Sequence, residues 1–108
     1  MLYQTISPKE LFERLKNNGE RVNLIDVREP YEFETARIDG AKLLPLSCFR
    51  EWIETLGVET EIVVMCHHGV RSARVCEYLA QNNFTKVFNL DGGIDSWSLE
   101  VDTDVPRY

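Results

Sequence analysis

The sequence predicts an α/β fold: a mainly parallel five-stranded sheet with helices on both faces, built as one domain over residues 1–108. Three observations carry this. Short apolar runs alternate with stretches of helical spacing along the whole chain, the pattern of strand–helix–strand units. The strongest run, "EIVVMC" (Glu61 to Cys66), is apolar at consecutive positions, as a strand buried on both faces requires. A chain of 108 residues, 44% hydrophobic and 28% charged, is long enough for one core and too short for two.

The elements follow in order. "YQTI", Tyr3 to Ile6, is the first expected strand. "SPKELFERLKNNG" then reads as a helix, with Ser7 as N-cap, Pro8 at the first helical position, Glu10 completing a capping box and Gly19 near the stop. Leu11, Phe12 and Leu15 form its apolar face. "VNLIDV", Val22 to Val27, is a buried strand, and "PYEFETA" a short helix opened by Pro30. "AKLLPL", Ala41 to Leu46, is a weaker strand whose Pro45 marks an edge or an end. "SCFREWIETLG" is expected as one short helix with Phe49, Trp52 and Ile53 inward. After the strand Glu61 to Cys66, the spacing of Ala73, Cys76 and Ala80 predicts a helix over Val70 to Asn82. "KVFNL", Lys86 to Leu90, is the last strand, and "DGGIDSWSLEV" a glycine turn with a terminal helix anchored by Trp97.

Composition narrows the function. A net charge of −6 leaves nothing to neutralise a row of phosphates, so no nucleic-acid partner is expected. No apolar run approaches the ~20 residues of a membrane helix, and "MLYQTISPKE" lacks the basic and apolar segments of a signal peptide. Three cysteines, an odd number without framework spacing, point to a reducing cytoplasm rather than a disulfide scaffold.

In a parallel sheet, sites form in the loops leaving the C-terminal strand ends. Three such loops carry chemistry: "DVREP" after the second strand, "CHHGVRS" after the fourth and "DGG" after the last. A strand-to-helix loop with a central glycine can turn its backbone N–H groups inward as an anion cradle at the positive end of a helix. Such a cradle favours the thiolate, the nucleophilic form of cysteine, so Cys66 reads as a nucleophile. Arg71 is equally open to binding an anionic substrate or to being a solvated charge at a helix start. Arg74 reads as surface charge, and Cys48 and Cys76, within helical patterns, as core packing. Adjacent His67 and His68 beside one cysteine lack the spacing of a closed zinc site, so neither metal nor cofactor is expected. Their backbone is expected to matter more than their rings. Asp26 and Arg28 read as an ion pair ordering the neighbouring loop, and Gly92 and Gly93 as a tight turn.

Three segments, in the right order over nearly the whole chain, resemble the rhodanese family of thiosulfate and thiol sulfurtransferases. "LIDVREPYEFETARIDGA" is similar to the family's first signature, "VVMCHHGVRS" to its catalytic strand and loop, and "VFNLDGGIDSW" to its closing strand, double glycine and tryptophan. Ala36-Arg37 stands where the family usually has Gly-His. The six residues Cys66 to Arg71 match the sulfurtransferase loop; the related phosphatases and arsenate reductases place arginine six positions after the cysteine, where this chain has Ser72. The resemblance implies a single rhodanese-like domain and ping-pong covalent catalysis. Cys66 would take the outer sulfur of thiosulfate or a similar donor as a persulfide. The N–H groups of His67, His68, Gly69, Val70, Arg71 and Ser72 would stabilise it, and cyanide, a thiol or a protein cysteine would remove it. The polar tail "EVDTDVPRY" is similar to the endings of rhodanese domains that work with adenylating enzymes and sulfur-carrier proteins. A disordered end and a partner-docking end both remain open, as does a non-catalytic docking module beside the enzyme.

Overall fold

The computed structural model describes residues 3–18 and 22–108. Five strands form one sheet: β1 (Gln4–Ile6), β2 (Asn23–Asp26), β3 (Lys42–Leu43), β4 (Ile62–Met65) and β5 (Val87–Leu90). Their order across the sheet is β1-β5-β4-β2-β3, and every pairing is parallel. The helices are α1 (Pro8–Asn18), α2 (Pro30–Thr35), α3 (Phe49–Trp52), α4 (Val70–Gln81) and α5 (Gly93–Glu100). Gly19, expected near the stop of the first helix, lies outside the described residues. Among the described residues no helix is long and apolar enough to cross a membrane.

The central position of β4 follows from its composition. All four residues are buried, and alternate ones point to opposite faces. Ile62 and Val64 join Ile25, Val87, Trp52, Val75, Cys76 and Leu79 on one face, packed by α3 and α4. Val63 and Met65 join Ile6, Leu24, Leu90, Leu11, Ile94 and Trp97 on the other, packed by α1 and α5. Two cores therefore sandwich the sheet. Cys66 continues the alternation onto the α4 face and belongs to that core.

Local chemistry starts α1 as expected. Ser7 Oγ accepts from the Glu10 N–H at 3.1 Å, while the Ser7 N–H donates to Glu10 Oε1 at 3.2 Å. Leu11 is buried and Leu15 partly so, but Phe12 stays 42% exposed, its ring edge-on to Trp97 at 6.3 Å. β3 is shorter than expected and lies at the sheet edge, as Pro45 foreshadows. The single helix expected over 47–57 is instead a 3₁₀ turn (Leu46–Cys48), the one-turn α3 and a second 3₁₀ turn (Ile53–Thr55). Side chains bond the backbone there: Trp52 Nε1 donates to the Pro45 carbonyl at 2.8 Å and Thr55 Oγ1 to the Trp52 carbonyl at 2.6 Å. The inward face of α4 is Ser72, Val75, Cys76 and Leu79 rather than Ala73, Cys76 and Ala80. A polar Ser72 at a buried position shifts the stripe by one residue.

One ion pair is fully buried at the end of β2. Arg28 Nη2 lies 2.6 Å from Asp26 Oδ2, and both side chains are 0% exposed. Arg28 Nε also donates to Oδ1 at 2.9 Å, and its remaining donors reach the carbonyls of Glu32 (3.3 Å) and Ala36 (2.6 Å). The guanidinium thus joins the strand end to the middle and the C-cap of α2. Removing one member of such a pair leaves an uncompensated buried charge. Asp26→Asn is expected to lower stability by about 3–5 kcal/mol, read from urea unfolding. A loss below ~1 kcal/mol would mean that Arg28 finds other compensation.

Candidate active site

Cys66 lies at the floor of a loop between β4 and α4 and is 1% exposed. The loop turns at Gly69, the N-cap of α4, whose φ of 102° is a region that side chains disfavour. That turn aims backbone donors at the sulfur: the Gly69 N–H lies 3.1 Å from Sγ and the Ser72 N–H 3.4 Å. The carbonyls are held the other way. Ile94 N–H donates to the Cys66 carbonyl at 2.9 Å and Asp95 N–H to that of His67 at 3.1 Å. These amides open α5, which comes this close only because residue 93 is glycine. Its φ is 60°, and a Cβ there would stand 2.5 Å from both carbonyl oxygens.

The Ser72 hydroxyl is a second contact, 3.3 Å from Sγ. A hydroxyl has one proton to give, and the Ser72 Oγ donates it to Asn89 Oδ1 at 2.6 Å. Asn89 Nδ2 in turn donates to the Gly69 carbonyl at 3.2 Å. Asn89 therefore fixes both the loop turn and the hydroxyl, which presents a lone pair to the S–H of a neutral thiol. On ionisation the same hydroxyl can rotate to donate to the thiolate. Sequence reasoning missed Asn89. Its signal was a polar residue inside the apolar run of β5.

Arg71 is half-buried and paired within the protein. Its guanidinium is bidentate on Glu32, at 2.7 and 2.9 Å. Glu32, also missed, is 4% exposed and accepts two further bonds, from the Glu29 N–H (3.1 Å) and the Tyr108 hydroxyl (2.8 Å). The Arg71 guanidinium holds the Glu32 carboxyl down at about 2, against an ordinary 4.5. Tyr108 accepts from Arg28 Nη1 at 2.7 Å, and burial pushes its phenol up to about 12, so it remains a donor. Asp26, Arg28, Tyr108, Glu32 and Arg71 thus form one chain of contacts from the buried strand end to the loop.

The tail is ordered against this chain. The Tyr108 ring stacks on His67 at 3.9 Å, and Arg107 Nε pairs with Asp95 at 2.9 Å. His67 also stacks on His68, its Nε2 is buried without a partner, and burial lowers its pKa. His68 is 61% exposed, with Nδ1 3.9 Å from Asp95. Val70 opens α4 and is 66% exposed. Burial pushes the Cys76 thiol up to about 12, while Cys48 is only partly buried against the core. Ala36, standing where a glycine is usual, has φ −158°, extended backbone that any residue adopts.

The profile of the Rhodanese-like domain matches residues 7–100. The chain is 36% identical over 96% of its length to the probable adenylyltransferase/sulfurtransferase MoeZ of Mycobacterium tuberculosis, of which it spans only 27%. It is 30% identical to the thiosulfate sulfurtransferase GlpE of Pseudomonas aeruginosa, covering 88% of this chain and 84% of that protein. A crystal structure of a rhodanese-related protein from Thermoplasma volcanium superposes with a TM-score of 0.80 at 33% identity, covering 92% of this chain and 94% of that one.

Because the Glu32 pKa is depressed on folding, its contribution to stability is fully present above its ordinary value near 4.5 and fades as the pH falls towards about 2. The wild-type protein is expected to lose roughly 2 kcal/mol more than Glu32→Gln between pH 5 and pH 2, measured by urea unfolding across that window. Parallel acid profiles of the two proteins would refute this role for Glu32.

Proposed function

Since the chain belongs to the rhodanese-like domain family, we propose that it is a sulfurtransferase carrying sulfane sulfur as a persulfide on Cys66. The sulfur comes from thiosulfate or a similar donor and goes to a thiophilic acceptor: cyanide, a thiol or a protein cysteine. The observation that carries this reading is the pair of backbone donors, Gly69 N–H and Ser72 N–H, on a cysteine sulfur at a helix start. Similarity to GlpE, a thiosulfate sulfurtransferase by name, supports it.

In the first half-reaction the Cys66 thiolate attacks the donor's outer sulfur, and the S–S bond to the rest of the donor breaks. The charge of the resulting persulfide settles on its terminal sulfur, towards the first-turn amides of α4, which have no intrahelical acceptors. In the second half-reaction the acceptor attacks that terminal sulfur. The electron pair returns to Cys66 Sγ, facing the same two N–H groups as before. Asn89 and Ser72 hold the turn through both steps, and His67 and His68 contribute backbone more than ring chemistry. Arg28 and Asp26 support the frame. Three free cysteines suit a reducing compartment, and the cytoplasm is the proposed location.

A second reading makes the same persulfide a relay to an adenylating enzyme and its sulfur-carrier protein. The likeness to MoeZ, whose name joins adenylyl transfer and sulfur transfer, favours it.

Mass spectrometry after incubation with thiosulfate is expected to show one added sulfur atom, located on Cys66 and removable by cyanide. Cys66→Ser should take up none. Cys76, held as a thiol by burial, should stay unmodified until the protein unfolds. Sulfur on Cys48 or Cys76 in the folded Cys66→Ser protein would remove Cys66 from the mechanism.

A further inference from the structure

A cavity of about 580 Å³ opens on the α1/α5 side of the sheet, whereas Cys66 belongs to the core on the other side. Its volume lies within the roughly 300–1,000 Å³ of small-molecule sites. Ala36, Ile38, Trp97 and Val105 line it, all buried members of the α1/α5 core. Phe12 lines it as well, 42% exposed and edge-on to Trp97. One wall is the tail, and that wall is fixed in place. Asp102 Oδ1 accepts from the Asp104 N–H at 3.0 Å, the Ser98 hydroxyl donates to the Val105 carbonyl, and the Val105 side chain is buried.

Charge decides what such a cavity takes. Four carboxylates line it, Glu34, Asp39, Asp102 and Asp104, and among the described residues none has an ion-pair partner. Two cations share the lining, and each already lies over an aromatic ring. Lys16 Nζ is 5.8 Å from the Phe12 centroid, and the Arg37 guanidinium 5.0 Å from that of Phe33. The balance of the lining is therefore negative, in a chain whose net charge is −6. The Lys16 contact also shows an ammonium resting on the exposed Phe12 face.

We propose that this cavity binds a small organic cation of the arylalkylamine class, an ammonium carried on a flat apolar body. The body covers the apolar floor at Ile38, Trp97 and Val105. The ammonium sits among the carboxylates near Phe12, where charge and cation–π attraction favour the same sign. An anion of the same shape would meet the four carboxylates instead. The site does not depend on Cys66. Because Asp102, Asp104, Val105 and Pro106 form part of the lining, a bound ligand adds contacts to the segment that carries Arg107 and Tyr108 to the Cys66 loop.

The test follows the two tryptophan side chains of the full chain by nitrogen–proton correlation NMR. Trp97 lines the cavity, and its indole N–H is buried without an acceptor among the described residues. Trp52 belongs to the opposite core and donates to the Pro45 carbonyl, so it serves as the internal control. The probes are phenylethylammonium, phenylethanol and phenylpropionate at constant ionic strength, which share an aryl body and differ in charge. Phenylethylammonium is expected to shift the Trp97 signal saturably and leave Trp52 in place. It is expected to bind about tenfold or more tightly than either of the others, the worth of one charge-assisted contact. Replacing the carboxylates together, Glu34→Gln, Asp39→Asn, Asp102→Asn and Asp104→Asn, is expected to reduce the amine to the affinity of the alcohol. Equal binding of amine and alcohol by the wild type would make the cavity merely apolar, and tighter binding of phenylpropionate would mean that Lys16 and Arg37 set its sign. Either result overturns the inference, even if the variant fails to fold. Absence of a saturable Trp97 shift, an equal shift at Trp52, or a folded variant that still prefers the amine overturns it as well.

Discussion

One carboxylate holds three separate parts of this chain together. Glu32 accepts from the Glu29 N–H, from both terminal nitrogens of Arg71 and from the Tyr108 hydroxyl, which fills the acceptor capacity of an ionised carboxyl. The start of α2, the end of the Cys66 loop and the tail converge on it. Arg28 completes the assembly from beneath, since it holds Tyr108 while anchored on Asp26. A buried anion this well matched has no loose acceptor, so each of its partners is confined to one arrangement.

The loop depends on a division of labour among its peptide groups. Its carbonyls are drawn outward, by the first amides of α5 at Cys66 and His67 and by Asn89 at Gly69. The N–H groups of Gly69 and Ser72 are thereby left to face the sulfur. Two glycines make this possible for different reasons: Gly69 for its left-handed turn, Gly93 for the space a Cβ would take from the loop.

The local parts of this arrangement were legible in the sequence. The Ser7–Glu10 capping box, the buried run of β4 and the glycine after the cysteine each announce themselves within a few residues. The partnerships that set the electrostatics were not. Arg71 and Glu32 are 39 residues apart, and Tyr108 stands 76 and 80 residues from Glu32 and Arg28. Nothing in local propensity specifies such pairs; they follow from how α2, α4 and the tail pack. Ser72 was recognised for its backbone, yet its hydroxyl explains why a polar residue points into the core and why the apolar stripe of α4 misleads by one position. The tail, polar and proline-bearing, left docking and disorder open because its holds are three scattered side chains, Val105, Arg107 and Tyr108, with no local pattern to announce them.

The strand order carries a consequence for the birth of the protein. Among the described residues β1 pairs with β5 alone, so Ile6 waits for Leu90, 84 residues later. During synthesis at about 5–20 residues per second, β2, β3 and β4 emerge in an order that lets them associate while the first strand stays unpaired. Closing that long loop is an entropic cost met before its contacts form. The nascent chain therefore exposes an unpartnered strand edge until β5 has emerged. Pausing before β5 would lengthen that exposure.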